Sequence, residues 1–268
     1  MINLNIEDKR EQGRKSSKGN QLKFERDGIW YKADYLGYEG LAEYVVSKLL
    51  SFSDLKPNEY VDYDLEQIRY NESLFNGCKS HDFTDGWNLI TLERLFKSTF
   101  GYGLNKMIYT TPDHHDRLRM MTEKVEQITG LNDFGVYMCK MLAVDALFLN
   151  EDRHTHNIAV MTNDRGEYRY APLFDHGAGL LADTGMDYPL NADTQKLIDR
   201  VRSKTICEDF TEQLDIAEDL FGYQIHFTFG YADVKNIVDQ ADIYDEETRA
   251  RVIDVIMEMR RRYSYMFV

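Results

Sequence analysis

Three side chains within residues 147–181 have the types and spacing that phosphate chemistry around a metal ion requires. Asp152 stands five residues before Asn157, and Asp175 follows later in an Asp-His-Gly tripeptide. A carboxylate oxygen and an amide oxygen suit Mg²⁺, a hard cation that takes its remaining ligands from water and substrate phosphates. A second carboxylate beside such an ion can accept the proton of an incoming hydroxyl. We therefore predict Asn157 and Asp175 as metal ligands and Asp152 as the proton acceptor.

The predicted elements around this segment explain how these residues could share one site. The Asp-x4-Asn spacing alone is uninformative, because such pairs also arise by chance. Here a strongly apolar helix through Leu149 leads into the pair, and a hairpin with strands Ile158–Met161 and Tyr168–Ala171 follows it. Since hairpin strands are antiparallel, the end of the second strand lies beside the start of the first. This arrangement brings Asp175 within reach of Asn157, with the aspartate of the loop beside both.

The first 90 residues are predicted to be mostly β-structure. Two strands, Gln21–Arg26 and Ile29–Asp34, flank an Asp-Gly dipeptide that suits a tight hairpin turn. Apolar residues at helical spacing then predict a helix over Leu36–Ser51. Two further strands, Tyr60–Tyr70 and Ser73–Phe83, follow this helix. The N-terminal part is therefore predicted to be a sheet with one helix.

Helices dominate after a hinge that we place near residues 82–91. Thr91 can cap a helix over Leu92–Phe100, because its hydroxyl can accept hydrogen bonds from the free N–H groups of the first turn. Asn132 or Asp133 is predicted to cap the apolar helix that leads into the catalytic segment. Further helices are predicted up to the C-terminus. The predicted fold class is α+β, a small β-rich part followed by a larger, mostly helical part.

Composition and charge limit the classes of function. The chain has 268 residues with 46 acidic and 32 basic side chains, a net charge of −14 and a pI near 5.0. Proteins that bind nucleic acid or anionic membranes need a basic surface, so we predict no direct contact with either. Apolar residues at 43% exclude a wholly disordered chain. The polar first ten residues predict no signal peptide, and the lack of a long apolar stretch predicts no membrane span. Three widely spaced cysteines predict reduced thiols in a cytoplasmic protein.

The catalytic segment resembles that of a known family. Asn150–Asn157, followed by Ala-Pro-Leu-Phe-Asp-His-Gly at residues 171–177, resembles the HipA-like serine/threonine kinases, a bacterial family that includes toxin kinases of toxin–antitoxin systems. The resemblance implies a bilobal protein-kinase-like fold, with an N-lobe over residues 1–88 and a C-lobe over residues 89–268. It also implies that Asp152 is catalytic and that ATP and Mg²⁺ are the cofactors.

The resemblance also bears on two histidines of this segment. His154 would face the γ-phosphate or support the loop, next to the Mg²⁺ ligands Asn157 and Asp175. His156 stands where many members of the family carry lysine. Because a histidine is mostly uncharged at neutral pH, charge compensation near the phosphates would differ here.

The resemblance also implies an ATP clamp in the N-lobe. Lys32, in the Trp-Tyr-Lys-Ala sequence at the end of the first hairpin, resembles the strand lysine that meets the α- and β-phosphates. Glu43 on the following helix would be its partner, with Glu39 as the competitor. A loop at residues 14–20 would lie over the phosphates, and the adenine would lie near the backbone of residues 87–90. The cofactor-binding residues expected in the loop are Ser17, Lys18 and Gly19.

The same loop holds the candidates for autophosphorylation. HipA-like kinases can phosphorylate a serine in this loop and so close their own ATP pocket, and Ser16 and Ser17 are the matching positions. Lysines at residues 15, 18, 23 and 32 are concentrated around it. Local cations therefore accompany the expected phosphate site, although the chain as a whole is acidic.

The favoured function is an ATP-dependent protein kinase that transfers the γ-phosphate of Mg-ATP to a serine or threonine hydroxyl of a protein, with an antitoxin as a further partner. The Asp152-Arg153-His154 tripeptide also resembles the phosphoinositide kinases, so a lipid or small-molecule kinase is one alternative. A binding-only pseudokinase is another, although the residues expected to bind ATP and metal are intact. Compared with full-length HipA, the chain is expected to lack the extra N-terminal subdomain.

A metal hydrolase is the remaining hypothesis. His114, His115 and Asp116 are adjacent in sequence, and His154 and His156 follow later. Their spacing does not match a histidine pair on one helix face with a general base, so we disfavour this function.

Overall fold

The computed structural model describes residues 1–10 and 21–268. Strands and helices are numbered separately in chain order. They are β1 (Ile2–Asn3), β2 (Lys23–Arg26), β3 (Ile29–Ala33), α1 (Glu39–Leu50), β4 (Asp64–Tyr70), β5 (Ser73–His81), β6 (Asn88–Thr91), α2 (Leu92–Phe100), α3 (Leu104–Thr110), α4 (His114–Thr129), α5 (Phe134–Phe148), β7 (Ala159–Thr162), β8 (Tyr168–Tyr170), α6 (Thr194–Ile198), α7 (Phe210–Phe221), α8 (Tyr231–Asp239) and α9 (Glu246–Arg262). A short 3₁₀ helix, Ser264–Met266, follows α9.

Five of the described strands form one sheet in the order β1-β4-β5-β3-β2. β2 and β3 form the predicted hairpin, and Asp27 and Gly28 at its turn have the positive φ angles, 55° and 76°, that a type I′ turn requires. β4 and β5 are also antiparallel and turn at Asn71 and Glu72, which have positive φ angles of 47° and 66°. β1 pairs with β4 in parallel and was not predicted, because two residues are too few to show an alternating pattern.

Helix α1 packs on this sheet at a point where the two backbones approach closely. A Cβ atom on Gly40 of α1 would lie 2.5 Å from the carbonyl carbon of Gly77 in β5. Asp34, just after β3, accepts a hydrogen bond from the Gly40 backbone N–H at 2.6 Å and one from the Tyr244 hydroxyl at 2.8 Å. These contacts fix the position of α1, on which the position of Glu43 depends.

The stretch before β4 pairs with the catalytic segment instead of extending the strand. The predicted strand began at Tyr60, but β4 begins at Asp64. The backbone N–H of Val61 donates to the carbonyl of Leu173 at 2.9 Å, and the N–H of Leu173 donates to the carbonyl of Glu59 at 2.7 Å. This bridge joins the chain before β4 to the chain that leads into the Asp-His-Gly tripeptide.

The helical part of the molecule is organised around α5. This helix is buried over most of its length and packs against α4, α7 and α9. The prediction that Asn132 or Asp133 caps α5 is wrong. Asp133 has a positive φ of 62° and makes no capping hydrogen bond, and the Phe134 N–H donates instead to the Glu126 carboxylate at 2.8 Å. Thr91 caps α2 as predicted, because its side chain accepts a hydrogen bond from the first turn.

Three other described strands form a second sheet in the order β6-β7-β8. β7 and β8 are the predicted hairpin, and β6 pairs with β7 so that Thr91 lies opposite Ala159. The predicted α+β class is confirmed, whereas the division into lobes between residues 88 and 89 stays a prediction. In the described parts of the chain, no helix combines the length and the apolar character needed to cross a membrane.

Candidate active site

Lys32 of β3 lies at the centre of the candidate active site. Its ammonium group forms ion pairs with Glu43 of α1 and with Asp175, whose Oδ1 atom is 2.7 Å from Lys32 Nζ. The lysine side chain is only 13% exposed. Burial alone would lower the pKa of Lys32, but the charges of Asp175 and Glu43 outweigh this effect and hold the pKa well above its usual value. Lys32 is therefore a charged group that joins the sheet, α1 and the segment after β8.

The two glutamates considered as partners of Lys32 make different contacts. Glu43 is 1% exposed, and its second carboxylate oxygen accepts a hydrogen bond from the backbone N–H of His176 at 2.7 Å. Glu39 instead accepts hydrogen bonds from the backbone N–H groups of residues 35–37, just before α1. The structure thus pairs Lys32 with Glu43, and Glu39 satisfies backbone groups at the start of the helix.

Asp175 is held beside two lysines. Its φ of 63° lies in the left-handed region, which residues other than glycine seldom adopt. Lys23 of β2 stands directly opposite Lys32, so both side chains are on the same face of the sheet. Burial would raise the pKa of Asp175, but the charges of Lys32 and Lys23 and the hydrogen bond from Lys32 lower it well below its usual value. Asp175 is therefore ionised at neutral pH, as a metal ligand must be.

Asn157 and Asp152 contact each other within the loop after α5. The side-chain nitrogen of Asn157 donates to the backbone carbonyl of Asp152 at 2.8 Å and to its carboxylate at 3.1 Å. Because the amide nitrogen is engaged in these bonds, the oxygen Oδ1 is the atom of Asn157 that can bind a cation. The role of Asn157 as a metal ligand stays a prediction from the sequence.

His154 borders the same carboxylate. Its Nε2 atom lies 3.6 Å from Asp152 Oδ1, and its Nδ1 atom accepts a hydrogen bond from the backbone N–H of His156 at 3.3 Å. The rings of His154 and His156 meet edge to face, with centroids 5.6 Å apart. Of the two roles considered for His154, these contacts favour support of the loop.

Arg153, whose role was not predicted, holds the site together. Its side chain is 1% exposed and binds the fully buried Asp145 of α5 through two hydrogen bonds, at 2.9 and 3.1 Å. Its Nη1 atom donates to the carbonyls of Asn157 at 3.0 Å and Phe174 at 2.8 Å. One nitrogen atom thus holds together the segments that carry Asn157 and Asp175. Asp145 could have indicated this role from the sequence, because a carboxylate inside an apolar helix needs a buried partner.

Two other buried polar side chains complete this network. Asn150 donates to the Asp145 carboxylate at 2.8 Å and to the backbone carbonyl of Asp175 at 3.3 Å. The Nδ1 atom of His176 lies 3.3 Å from Arg153. Burial and the adjacent charge of Arg153 lower the pKa of His176 well below its usual value, so this ring is neutral and can accept a hydrogen bond from the guanidinium.

An apolar cluster borders the site next to the sheet. Its buried members are Val61, Tyr63 and Cys78. The rings of Phe83 and Phe174 lie at its edge with their centroids 5.4 Å apart, and both are partly exposed. Lys32 Nζ lies 5.2 Å from the ring centroid of Tyr63. The lysine is therefore flanked by carboxylates on one side and by an aromatic surface on the other.

The predicted phosphate loop at residues 14–20 falls on a part of the chain that the structure does not describe. Its residues Ser16, Ser17, Lys18 and Gly19 lie outside the described residues. Their cofactor-binding and autophosphorylation roles stay predictions from the sequence.

Comparison with solved structures identifies the fold. The Helicobacter pylori proinflammatory kinase CtkA is similar over 97% of this chain and 95% of its own, with a TM-score of 0.61 and 15% sequence identity. HipA of Shewanella oneidensis MR-1, from a toxin–antitoxin system and solved with HipB and operator DNA, is similar over 94% of this chain, with a TM-score of 0.51 and 10% identity. This chain spans 63% of the length of that protein. No family model and no curated protein sequence matches the chain.

These likenesses concern the fold, because the sequence identities are low. The chain has a kinase-like fold shared with these two proteins, with a five-stranded sheet among its described N-terminal residues and helices in most of the remainder. The fold class and the family resemblance predicted from the sequence are confirmed at this level.

Proposed function

We propose that this chain is an ATP-dependent serine/threonine protein kinase that transfers the γ-phosphate of Mg-ATP to a hydroxyl group of a protein. The observation that carries the proposal is the pairing of Lys32 with both Glu43 and Asp175. Phosphoryl transfer depends mainly on positioning and on stabilising negative charge. A charged lysine next to oxygen ligands for a cation can both position the phosphates and stabilise their negative charge. The fold shared with the kinase CtkA supports the same function.

Mg²⁺ fits the donor atoms of this site. The carboxylate of Asp175 and the oxygen Oδ1 of Asn157 are hard oxygen ligands of the kind that Mg²⁺ prefers, and these two residues would hold it. When bound, the ion would neutralise negative charge on the phosphates of ATP. The adenine is proposed to pack against the partly exposed rings of Phe83 and Phe174, because these border the site at the edge of an apolar cluster.

Lys32 is proposed to bind the α- and β-phosphates. Its ammonium group is already held by two carboxylates, so little side-chain entropy remains to be lost when phosphate binds. Lys23, on the same face of the sheet, would add a second positive charge. The other residues proposed to cover the phosphates are Ser17, Lys18 and Gly19.

Asp152 is proposed to accept the proton of the substrate hydroxyl. The hydroxyl oxygen forms a bond to the γ-phosphorus while the bond from this phosphorus to the oxygen bridging the β- and γ-phosphates breaks, and ADP leaves. The proton passes to the carboxylate of Asp152, which the side chain of Asn157 orients through its hydrogen bond. His154 borders this carboxylate and supports the loop.

The partners proposed for the chain are a protein substrate and an antitoxin. The likeness to HipA, whose structure contains HipB and operator DNA, supports the second partner. Direct contact of this chain with DNA is not proposed, because its net charge is −14. We also propose a cytoplasmic location, and Ser16 or Ser17 as the autophosphorylated residue.

The proposal is tested by incubating the purified chain with γ-labelled ATP and Mg²⁺, with casein as a generic protein acceptor and phosphoinositide vesicles as a lipid acceptor. We expect labelled phosphoserine or phosphothreonine in casein or in the chain itself, and none with Asp175→Ala. Label in the lipid alone would favour the phosphoinositide kinase. ATP binding without transfer to any acceptor would indicate a pseudokinase, and the absence of both would overturn the proposal.

The pairing of Lys32 with Glu43 predicts an asymmetry between the two glutamates of α1. Glu43→Gln removes a charge that holds Lys32, so we expect kcat/KM for ATP to fall on the order of 10²-fold through misplacement of the lysine. Glu39→Gln keeps one of the two oxygens that accept hydrogen bonds from the backbone, and neither oxygen contacts Lys32, so we expect a change of less than about threefold. Steady-state kinetics of the two variants check this. Equal losses in both variants would contradict the assignment.

A further inference from the structure

Three potential metal ligands meet where helices α4 and α7 begin. They are a ring nitrogen of His114, Sγ of Cys207 and a carboxylate oxygen of Glu212, and all three lie within 4.8 Å of one another. His114 Nδ1 is 2.5 Å from Glu212 Oε1. Across residues 1–10 and 21–268, this is the one place where at least three such atoms of histidine, cysteine, aspartate or glutamate lie so close together.

The local structure holds the three ligands in place. Asp113 caps α4, whose first residue is His114, and Asp209 caps α7, whose third residue is Glu212. The guanidinium of Arg117 donates to the carbonyl of Thr111 at 2.7 Å and to the carbonyl of Ile206 at 2.7 Å. The same arginine thus joins the chain that leads into His114 to the residue before Cys207. The three ligands therefore come from segments that are already connected.

The charges around the cluster favour a cation. A cavity of about 490 Å³ is lined by His114 and Glu212 but not by Cys207, and the described residues that line it include no lysine or arginine. Its carboxylates belong to Asp113, Asp209, Glu212, Asp215 and Asp219. The guanidinium of Arg117 near Cys207 and the positive ends of the two helices oppose a cation. Each helix end amounts to only about half a charge, so five carboxylates outweigh these positive charges.

We propose that His114, Cys207 and Glu212 bind a divalent metal ion of the Zn²⁺ type, at a site separate from the proposed kinase site. Sulfur, imidazole and carboxylate ligands together suit Zn²⁺, whereas Mg²⁺ and Ca²⁺ prefer oxygen alone. Ligand atoms around a tetrahedral zinc lie roughly 3.3–3.6 Å apart, so His114 and Glu212 must separate slightly on binding. Both side chains are partly exposed, at 33% and 51%, and can turn to do so.

The proposed ion links α4 to α7. Cys207 is a buried free thiol, and the ion binds its thiolate while the thiol proton is released to the buffer. Three protein ligands leave a fourth position to water. His115 lies 3.8 Å from Asp219 instead, and His154 contacts His156, so the four histidines considered for a hydrolase do not form one centre. The proposed role is to stabilise the junction between the two helices.

The test uses the full chain, freed of metal with EDTA and kept reduced. Zn²⁺ is titrated against a chromogenic chelator, and Co²⁺ is titrated with detection of the near-ultraviolet thiolate-to-cobalt band. We expect about one Zn²⁺ per chain, a Co²⁺ band, and a melting temperature that rises with Zn²⁺. In Cys207→Ser and His114→Gln we expect the affinity for Zn²⁺ to fall at least 10–100-fold, and the Co²⁺ band to be lost in Cys207→Ser.

Matched controls separate this site from binding elsewhere. Cys139→Ser changes another buried cysteine and His226→Gln another surface histidine, and both should bind Zn²⁺ like the unmodified chain. If Cys207→Ser does not fold, Glu212→Ala at a half-exposed position replaces it as the test of affinity. No binding by the unmodified chain, or binding that survives His114→Gln and Glu212→Ala, would overturn the proposal.

Discussion

Replacing Asp152 with Asn is expected to lower the rate constant of phosphoryl transfer by roughly 10²–10⁴-fold, the usual contribution of a positioned general base. The amide cannot accept the proton of the hydroxyl, although it has nearly the same shape as the carboxylate. ATP affinity should stay within about threefold, because the proposed phosphate and metal ligands are Lys32, Asn157 and Asp175. Single-turnover transfer to casein measures the rate, and titration with a fluorescent ATP analogue measures the affinity.

Asp175→Asn is the matched control for this prediction. It removes the same charge at a proposed metal ligand, so here the affinity for Mg-ATP should fall together with the rate. The two variants should therefore differ in binding and agree in loss of transfer. If Asp152→Asn weakened ATP binding as much as Asp175→Asn, or kept most of its transfer activity, Asp152 would not be the proton acceptor.

Replacing Arg153 with Met is expected to lower the free energy of unfolding by about 3–5 kcal/mol, because it leaves the buried carboxylate of Asp145 without its ionic partner. The arginine is 1% exposed and the aspartate 0% exposed, so water cannot replace the lost contacts. The loss would also free the carbonyls of Asn157 and Phe174, which Arg153 holds together. Urea unfolding followed by circular dichroism measures the change.

Two further variants show whether the buried charge is the cause. Arg119→Met breaks a surface pair with Asp116, and exposed pairs contribute only about 0–1 kcal/mol, so its effect should be small. In the double variant Asp145→Leu with Arg153→Met, no buried charge remains, and we expect part of the lost stability to return. A double variant no more stable than Arg153→Met alone would contradict this explanation.

The turns, caps and short-range pairs of this fold could be predicted because they depend on neighbouring residues. Asp27 and Gly28 have the φ angles that a tight hairpin needs, and Thr91 caps the helix that follows it. The cap of α5 could not be predicted, because the group that binds its first N–H is Glu126, eight residues before Phe134 and on another helix. Likewise, Tyr60 did not start β4, because it forms an isolated parallel bridge with Leu173, far away in sequence.

The residues predicted to carry the chemistry of the candidate site come from one short segment of the sequence. Asp152, Asn157 and Asp175 were identified by their types, by their spacing and by the hairpin between them, all within 24 consecutive residues. The resemblance of this segment to the HipA-like kinases then indicated a fold, which the likeness to CtkA confirms. The amino acids in a catalytic segment are specified by its chemistry, so they are visible without the rest of the molecule.

The partners that polar residues meet across long stretches of the chain became visible only in the folded molecule. It paired Lys32 with Glu43 instead of Glu39, buried Arg153 against Asp145, and brought Cys207 to His114. Such contacts depend on how helices and sheets pack, and packing is set by many weak apolar contacts between residues far apart in sequence. A single sequence shows the polar residues that could meet, but the packing of the apolar residues selects the ones that do.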